Sequence, residues 1–102
     1  MVDWININGE KKNEIINNIV SILNEVELEK DDSFWSVEQI ELVKKEFAEL
    51  KKWAERGKIL LKYGKKHFML ESTYMITDSI KPLTNTKLGI KILLFQELLR
   101  KI

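Results

Sequence analysis

Residues 35–57 constrain the fold of this chain more than any other stretch. They open on Trp35-Ser36-Val37-Glu38-Gln39-Ile40 and close on Ala54-Glu55-Arg56-Gly57. Ser36 with Gln39 three residues on has the spacing of a capping box, in which each side chain satisfies the other's backbone N–H, and Trp35 with Ile40 has the spacing of a hydrophobic staple. Val37, Ile40, Val43, Phe47, Leu50 and Ala54 recur at helical intervals and predict a buried stripe. Glu41 with Lys45, and Lys51 with Glu55, are four-residue charge pairs for the outer face. A cation at Arg56 suits the negative end of the helix, and Gly57 can take the positive φ of a helix stop. A long helix from Val37 to Arg56 that is apolar along one side needs other elements to cover it, so the chain must build a core.

Three further segments can supply that cover. Ile15, Ile19, Ile22 and Val26, with Ile16, Val20 and Leu23 in the same arc, predict a helix from Glu10 to Leu28, announced by Asn8-Gly9. Thr86 to Lys101 reads as a last helix, with Leu88, Ile92, Phe95, Leu99 and Ile102 on its inner face and Leu94 and Leu98 widening it. Gly89 near its start weakens the helix locally and permits close packing. Between them, Ile59–Tyr63 and His67–Ile76 flank Gly64-Lys65-Lys66 and predict an antiparallel hairpin. A two-residue turn at Gly64-Lys65 pairs Leu61 with Phe68 and Ile59 with Leu70 on one face, and sets Lys58, Lys62, His67 and Glu71 on the other. Trp4-Ile5-Asn6-Ile7 fits either a short strand, which would add a third to the sheet, or a first helical turn. The expected fold is therefore one α+β domain over residues 1–102: two long helices, a β-hairpin with or without a third N-terminal strand, and a C-terminal helix packed on one face of the sheet.

The 102 residues contain no cysteine and one histidine, His67. Disulfide frameworks, thiolate zinc sites, cysteine nucleophiles and metal sites built on two histidines are thereby excluded, and a reducing compartment is the natural setting. No apolar run approaches the ~18–20 residues that span a bilayer. The first residues lack a basic and apolar leader, so the expectation is a cytoplasmic protein. Frequent Lys, Ile and Asn fit an AT-rich bacterial or phage coding sequence. No phosphate loop, dinucleotide fingerprint, nucleophile elbow or zinc-protease motif is present. The sequence therefore predicts neither a catalytic residue nor a cofactor.

Charge is unevenly placed. Residues 1–57 carry 8 Lys/Arg and 13 Asp/Glu, whereas residues 58–102 carry 9 and 3. Glu25, Glu27, Glu29, Asp31 and Asp32 crowd the end of the first long helix, where acids oppose the helix dipole. They are candidates for docking a basic protein, as a small inhibitor of the immunity-protein kind would dock a nuclease. Ile90 and Leu93 fall outside the inner arc of the last helix and are candidates for a second contact, either another protein or a homodimer through residues 86–102.

Lys58, Lys62, Lys65, Lys66 and His67 make the alternative site, a basic hairpin for nucleic acid. The run Leu50 to Leu70, helix then Gly57 then strand then the basic Gly64-Lys65-Lys66 tip and a returning strand, resembles the recognition-helix-to-wing passage of winged-helix DNA-binding proteins. It covers about a fifth of the chain and implies phosphate and groove contacts by those basic residues. It departs from that family in having one unbroken helix over residues 36–56, with Glu38, Glu41, Glu46, Glu49 and Glu55 among its cations. Protein binding without catalysis is the leading expectation, nucleic-acid binding the second and a small enzyme the third.

Overall fold

The computed structural model describes residues 2–29, 35–62, 69–79 and 82–101. In chain order the elements are β1 (Val2–Asn6), α1 (Gly9–Glu29), α2 (Val37–Glu55), β2 (Lys58–Lys62), α3 (Glu71–Asp78), a 3-10 turn (Leu83–Asn85) and α4 (Lys87–Lys101). The fold is small, mostly helical α+β.

The capping signals at α2 are realised as bonds. Gln39 N–H donates to Ser36 Oγ at 3.1 Å and Ser36 N–H to Gln39 Oε1 at 2.9 Å. At the other end Gly57, with φ +82°, donates its N–H to Ala54 O at 2.9 Å. Ile40, Val43, Phe47, Leu50 and Ala54 are buried as their spacing requires, but Val37 is 75% exposed. Standing in the first turn, Val37 lies beyond the edge of the core.

α2 is the central element and packs against α1, α3 and β2. α1 buries Ile15, Ile19, Ile22 and Val26, and α4 buries Leu88, Ile92, Phe95 and Leu99. The Phe47 and Phe95 rings meet at 5.4 Å between centroids, tilted by 54°, and join α2 to α4. That geometry adds to the area the two rings bury.

Thr86 caps α4. Its Oγ1 accepts from Gly89 N–H at 3.0 Å and from Trp35 Nε1 at 3.2 Å, and donates to Leu83 O at 2.7 Å. A Cβ on Gly89 would stand 1.9 Å from the Leu83 carbonyl oxygen, so the close packing expected of this glycine is present.

The sheet corrects the sequence reading. β2 pairs antiparallel with β1, in the register Ile5 opposite Ile59 and Asn6 opposite Lys58. Ile7 N–H prolongs the ladder to Gly57 O at 2.8 Å. The N-terminal segment is therefore the partner of β2 and not a third strand beside a hairpin; the described sheet has two strands. The second arm of the expected hairpin is helix α3 from Glu71 onward. Leu70 and Ile76 are buried, as the hairpin would have had them, so these two positions do not separate a strand from a helix. The discriminating positions are Thr73, which is 3% exposed, and Tyr74, which is 54% exposed. Strand alternation would reverse them. The Gly64-Lys65 turn and Phe68 lie outside the described residues. Among the described residues there are four α-helices rather than three, and the core lies mainly between helices instead of under a sheet.

Candidate functional site

A groove of about 860 Å³ lies between α2 and α3. Its α2 wall follows from helical spacing. Leu42, Glu46, Leu50 and Trp53 recur at four, four and three residues and make an inner row, and Glu38, Glu41, Lys45 and Glu49 make an outer row. Met69, Leu70, Glu71 and Tyr74 form the opposite wall, and Leu60 of β2 borders the groove beside them. The lining thus holds five carboxylates, one ammonium, and an apolar floor that includes two aromatic rings.

Trp53 is braced by Trp4. The Trp4 ring meets it edge-on at 5.4 Å with planes 78° apart, and Lys58 Nζ lies 5.0 Å from the Trp4 centroid. Strand alternation places Trp4 and Lys58 on the sheet face away from Ile5 and Ile59, the face that also carries Leu60 of the groove lining.

α3 has only eight residues and no cap of its own, since its N-cap residue is Leu70. Its first amides are satisfied from other helices. Glu46 of α2 accepts from Glu71 N–H at 2.8 Å, from Ser72 N–H at 2.9 Å and from Ser72 Oγ–H at 2.5 Å. Gln96 of α4, 2% exposed, accepts at its Oε1 from Leu70 N–H at 2.7 Å and from Thr73 Oγ1–H at 3.1 Å. A carboxylate on the first N–H groups of a helix also meets the positive end of its dipole. Ser72 and Thr73 face inward because those acceptors are there. Glu46 is thus bound into the framework, and the remaining acids lie along the rim.

The sequence-derived candidates fall elsewhere. Glu25 is buried and its Oε1 lies 3.2 Å from Lys91 Nζ, which also donates to Ser21 Oγ at 2.9 Å. Glu27 is about half exposed and 3.8 Å from Lys44, and Glu29 is buried at 8%. Two of these three carboxylates are therefore turned into the fold. Asp31 and Asp32 lie outside the described residues. Ile90 is 47% exposed, Leu93 is partly buried, and Leu94 is 65% exposed. The outward apolar pair of α4 is Ile90 with Leu94, one turn apart. Lys58 is exposed beside Trp4; Lys65, Lys66 and His67, and the side chain of Lys62, lie outside the described residues.

Sequence reasoning missed the groove, although one signal for it was present. Leu42 and Trp53 are large apolar residues that belong to none of the buried positions of α2, and they share a face with Glu46 and Glu49. Their partners on α3 are invisible while residues 71–76 are read as a strand.

Among the described residues no group of three or more His, Asp or Glu side chains is placed to hold a metal ion, and no helix is long and apolar enough to cross a membrane. Comparison with protein-family models, curated proteins and solved structures finds no match to this chain.

Proposed function

We propose that this chain is a small protein-binding domain without catalytic activity, and that its partner docks in the groove between α2 and α3. The observation that carries this reading is the floor of the groove. Leu42, Trp53, Met69 and Tyr74 line a concavity that the described chain does not fill, and Trp, Tyr and Met are the residue types enriched where proteins bury one another. Glu46 of the lining, and Ser72, Thr73 and Gln96 next to it, are engaged in capping α3, which supports a structural rather than a catalytic role for them. An inhibitor that covers the working cleft of another protein is one form such a domain takes.

Selection from a displayed random-peptide library tests the reading. Clones recovered on the wild type should lose binding to Leu42→Arg and to Tyr74→Ala, both verified as folded by circular dichroism. Clones indifferent to both substitutions would place the binding surface elsewhere.

Self-association through α4 is the second reading, favoured by the exposure of Ile90 and Leu94. Two side chains fall far short of the ~800 Å² per partner that a stable interface buries, so it ranks below the groove. Sedimentation equilibrium of the wild type against Leu94→Lys would show it as a dimer lost in the variant.

A further inference from the structure

We infer that the occupant of the groove is a cationic segment of the partner protein, rich in Lys or Arg and carrying at least one large apolar side chain. This rests on the groove being the docking site and adds the chemistry of what docks. From Glu38 to Trp53 the α2 wall runs about 22 Å at the helical rise per residue. That length accommodates about seven residues of extended chain.

Along this length Glu38, Glu41 and Glu49 stand exposed on the α2 rim and Glu71 stands exposed on the α3 rim, with Lys45 the single cation among the described lining residues. A neutral or acidic segment entering there would strip water from those carboxylates or add like charge, both unfavourable. A basic segment would meet opposite charge on both rims. Its apolar stems would lie on Leu42 and Met69, and its cations would reach the faces of Trp53 and Tyr74, which attract positive charge. Rim carboxylates and an aromatic floor together select lysine and arginine, whose side chains are apolar in the stem and charged at the tip.

The experiment uses three synthetic peptides of about eight residues alternating Leu with Lys, Gln or Glu, titrated into the full chain and followed by the Trp53 indole N–H and the Leu42 and Tyr74 amides in two-dimensional NMR. The Lys peptide should bind at least about tenfold more tightly than the Gln peptide, a ratio that a few exposed charge pairs can supply. That preference should fade as salt is raised from low to about 0.5 M, where screening shortens to a few ångströms. It should also vanish in Glu41→Lys/Glu49→Lys, with Glu41→Gln/Glu49→Gln intermediate.

Equal binding of the Lys and Gln peptides in the groove would overturn the charge inference while leaving the docking reading intact. No shift at Leu42, Trp53 or Tyr74 with any peptide would remove both. Spermidine matching the Lys peptide in affinity would make the ligand a small polycation rather than a protein. Binding that appears only in Lys65→Ala/Lys66→Ala would make the chain's own basic segment the occupant and defeat the proposal.

Discussion

Replacing Gly89 by alanine sets two effects against each other, and the structure decides between them. On an isolated helix the change gains about 1 kcal/mol, the propensity difference between glycine and alanine. Here the new Cβ would lie 1.9 Å from Leu83 O, 2.8 Å from Leu83 C and 3.0 Å from Thr86 Oγ1. The nearest atom is backbone and cannot rotate away. Relief requires either α4 or the 3-10 turn to move by about 1 Å, and the Leu83 carbonyl that must yield is the acceptor for Thr86 Oγ1–H at 2.7 Å and Thr86 N–H at 3.1 Å. Overpacking of this kind costs about 1–3 kcal/mol, and a disturbed threonine cap costs about 1 kcal/mol more. Set against the propensity gain, the net expectation is a loss of about 2 kcal/mol, a fall in Tm of about 8–16 °C for a domain of this size. Urea unfolding followed by circular dichroism should show a lower midpoint with an unchanged slope. Ile90→Ala, one residue on but exposed, should stay within about 0.5 kcal/mol of the wild type. A midpoint for Gly89→Ala equal to or above the wild type would show that the approach of α4 to Leu83 is not as close as described.

Glu46→Ala should cost about 2–3 kcal/mol, because it strands two amides and the hydroxyl of a fully buried serine, with Glu46→Gln recovering part of it; thermal unfolding measures the loss. Thr73→Asp should destabilise strongly whereas Tyr74→Ser should unfold within about 0.5 kcal/mol of wild type, and the opposite order in urea would restore the strand reading of residues 71–76. Lys91→Met leaves the buried Glu25 carboxylate without its cation and should cost roughly 1–2 kcal/mol, which Glu25→Gln in the same chain should largely recover if the ion pair is the cause.

Helices α1, α2 and α4 were legible because their information is local. The Ser36 and Gln39 pair, the isoleucines of α1 and the four-three steps of α4 are each complete within one segment. Two things were not legible. The partner of β2 lies more than fifty residues upstream, and nothing in Ile59–Lys62 distinguishes β1 from the nearer segment, which loop entropy favours in the absence of other information. Helix α3 reads poorly because its N-terminal signals sit on other helices: Leu70 is no N-cap residue, and Glu46 and Gln96 appear in the sequence as one more surface glutamate and one polar interruption of an apolar helix. The acids at the end of α1 misled for a related reason. Sequence shows that Glu25 is charged but not that Lys91, sixty-six residues away, comes to meet it.

Helix α3 also has a place in time. Two turns are too few to hold as a helix in water, and the acceptors at its start, Glu46 of α2 and Gln96 of α4, are brought together only when those helices have met through Phe47 and Phe95. It should therefore form late, after the rate-limiting step of folding. Substitutions at Ser72 or Thr73 would then hasten unfolding while leaving the folding rate nearly untouched. The same dependence should let α3 detach while α1, α2 and α4 stay assembled, so one wall of the groove should open at a fraction of the free energy that unfolds the whole chain.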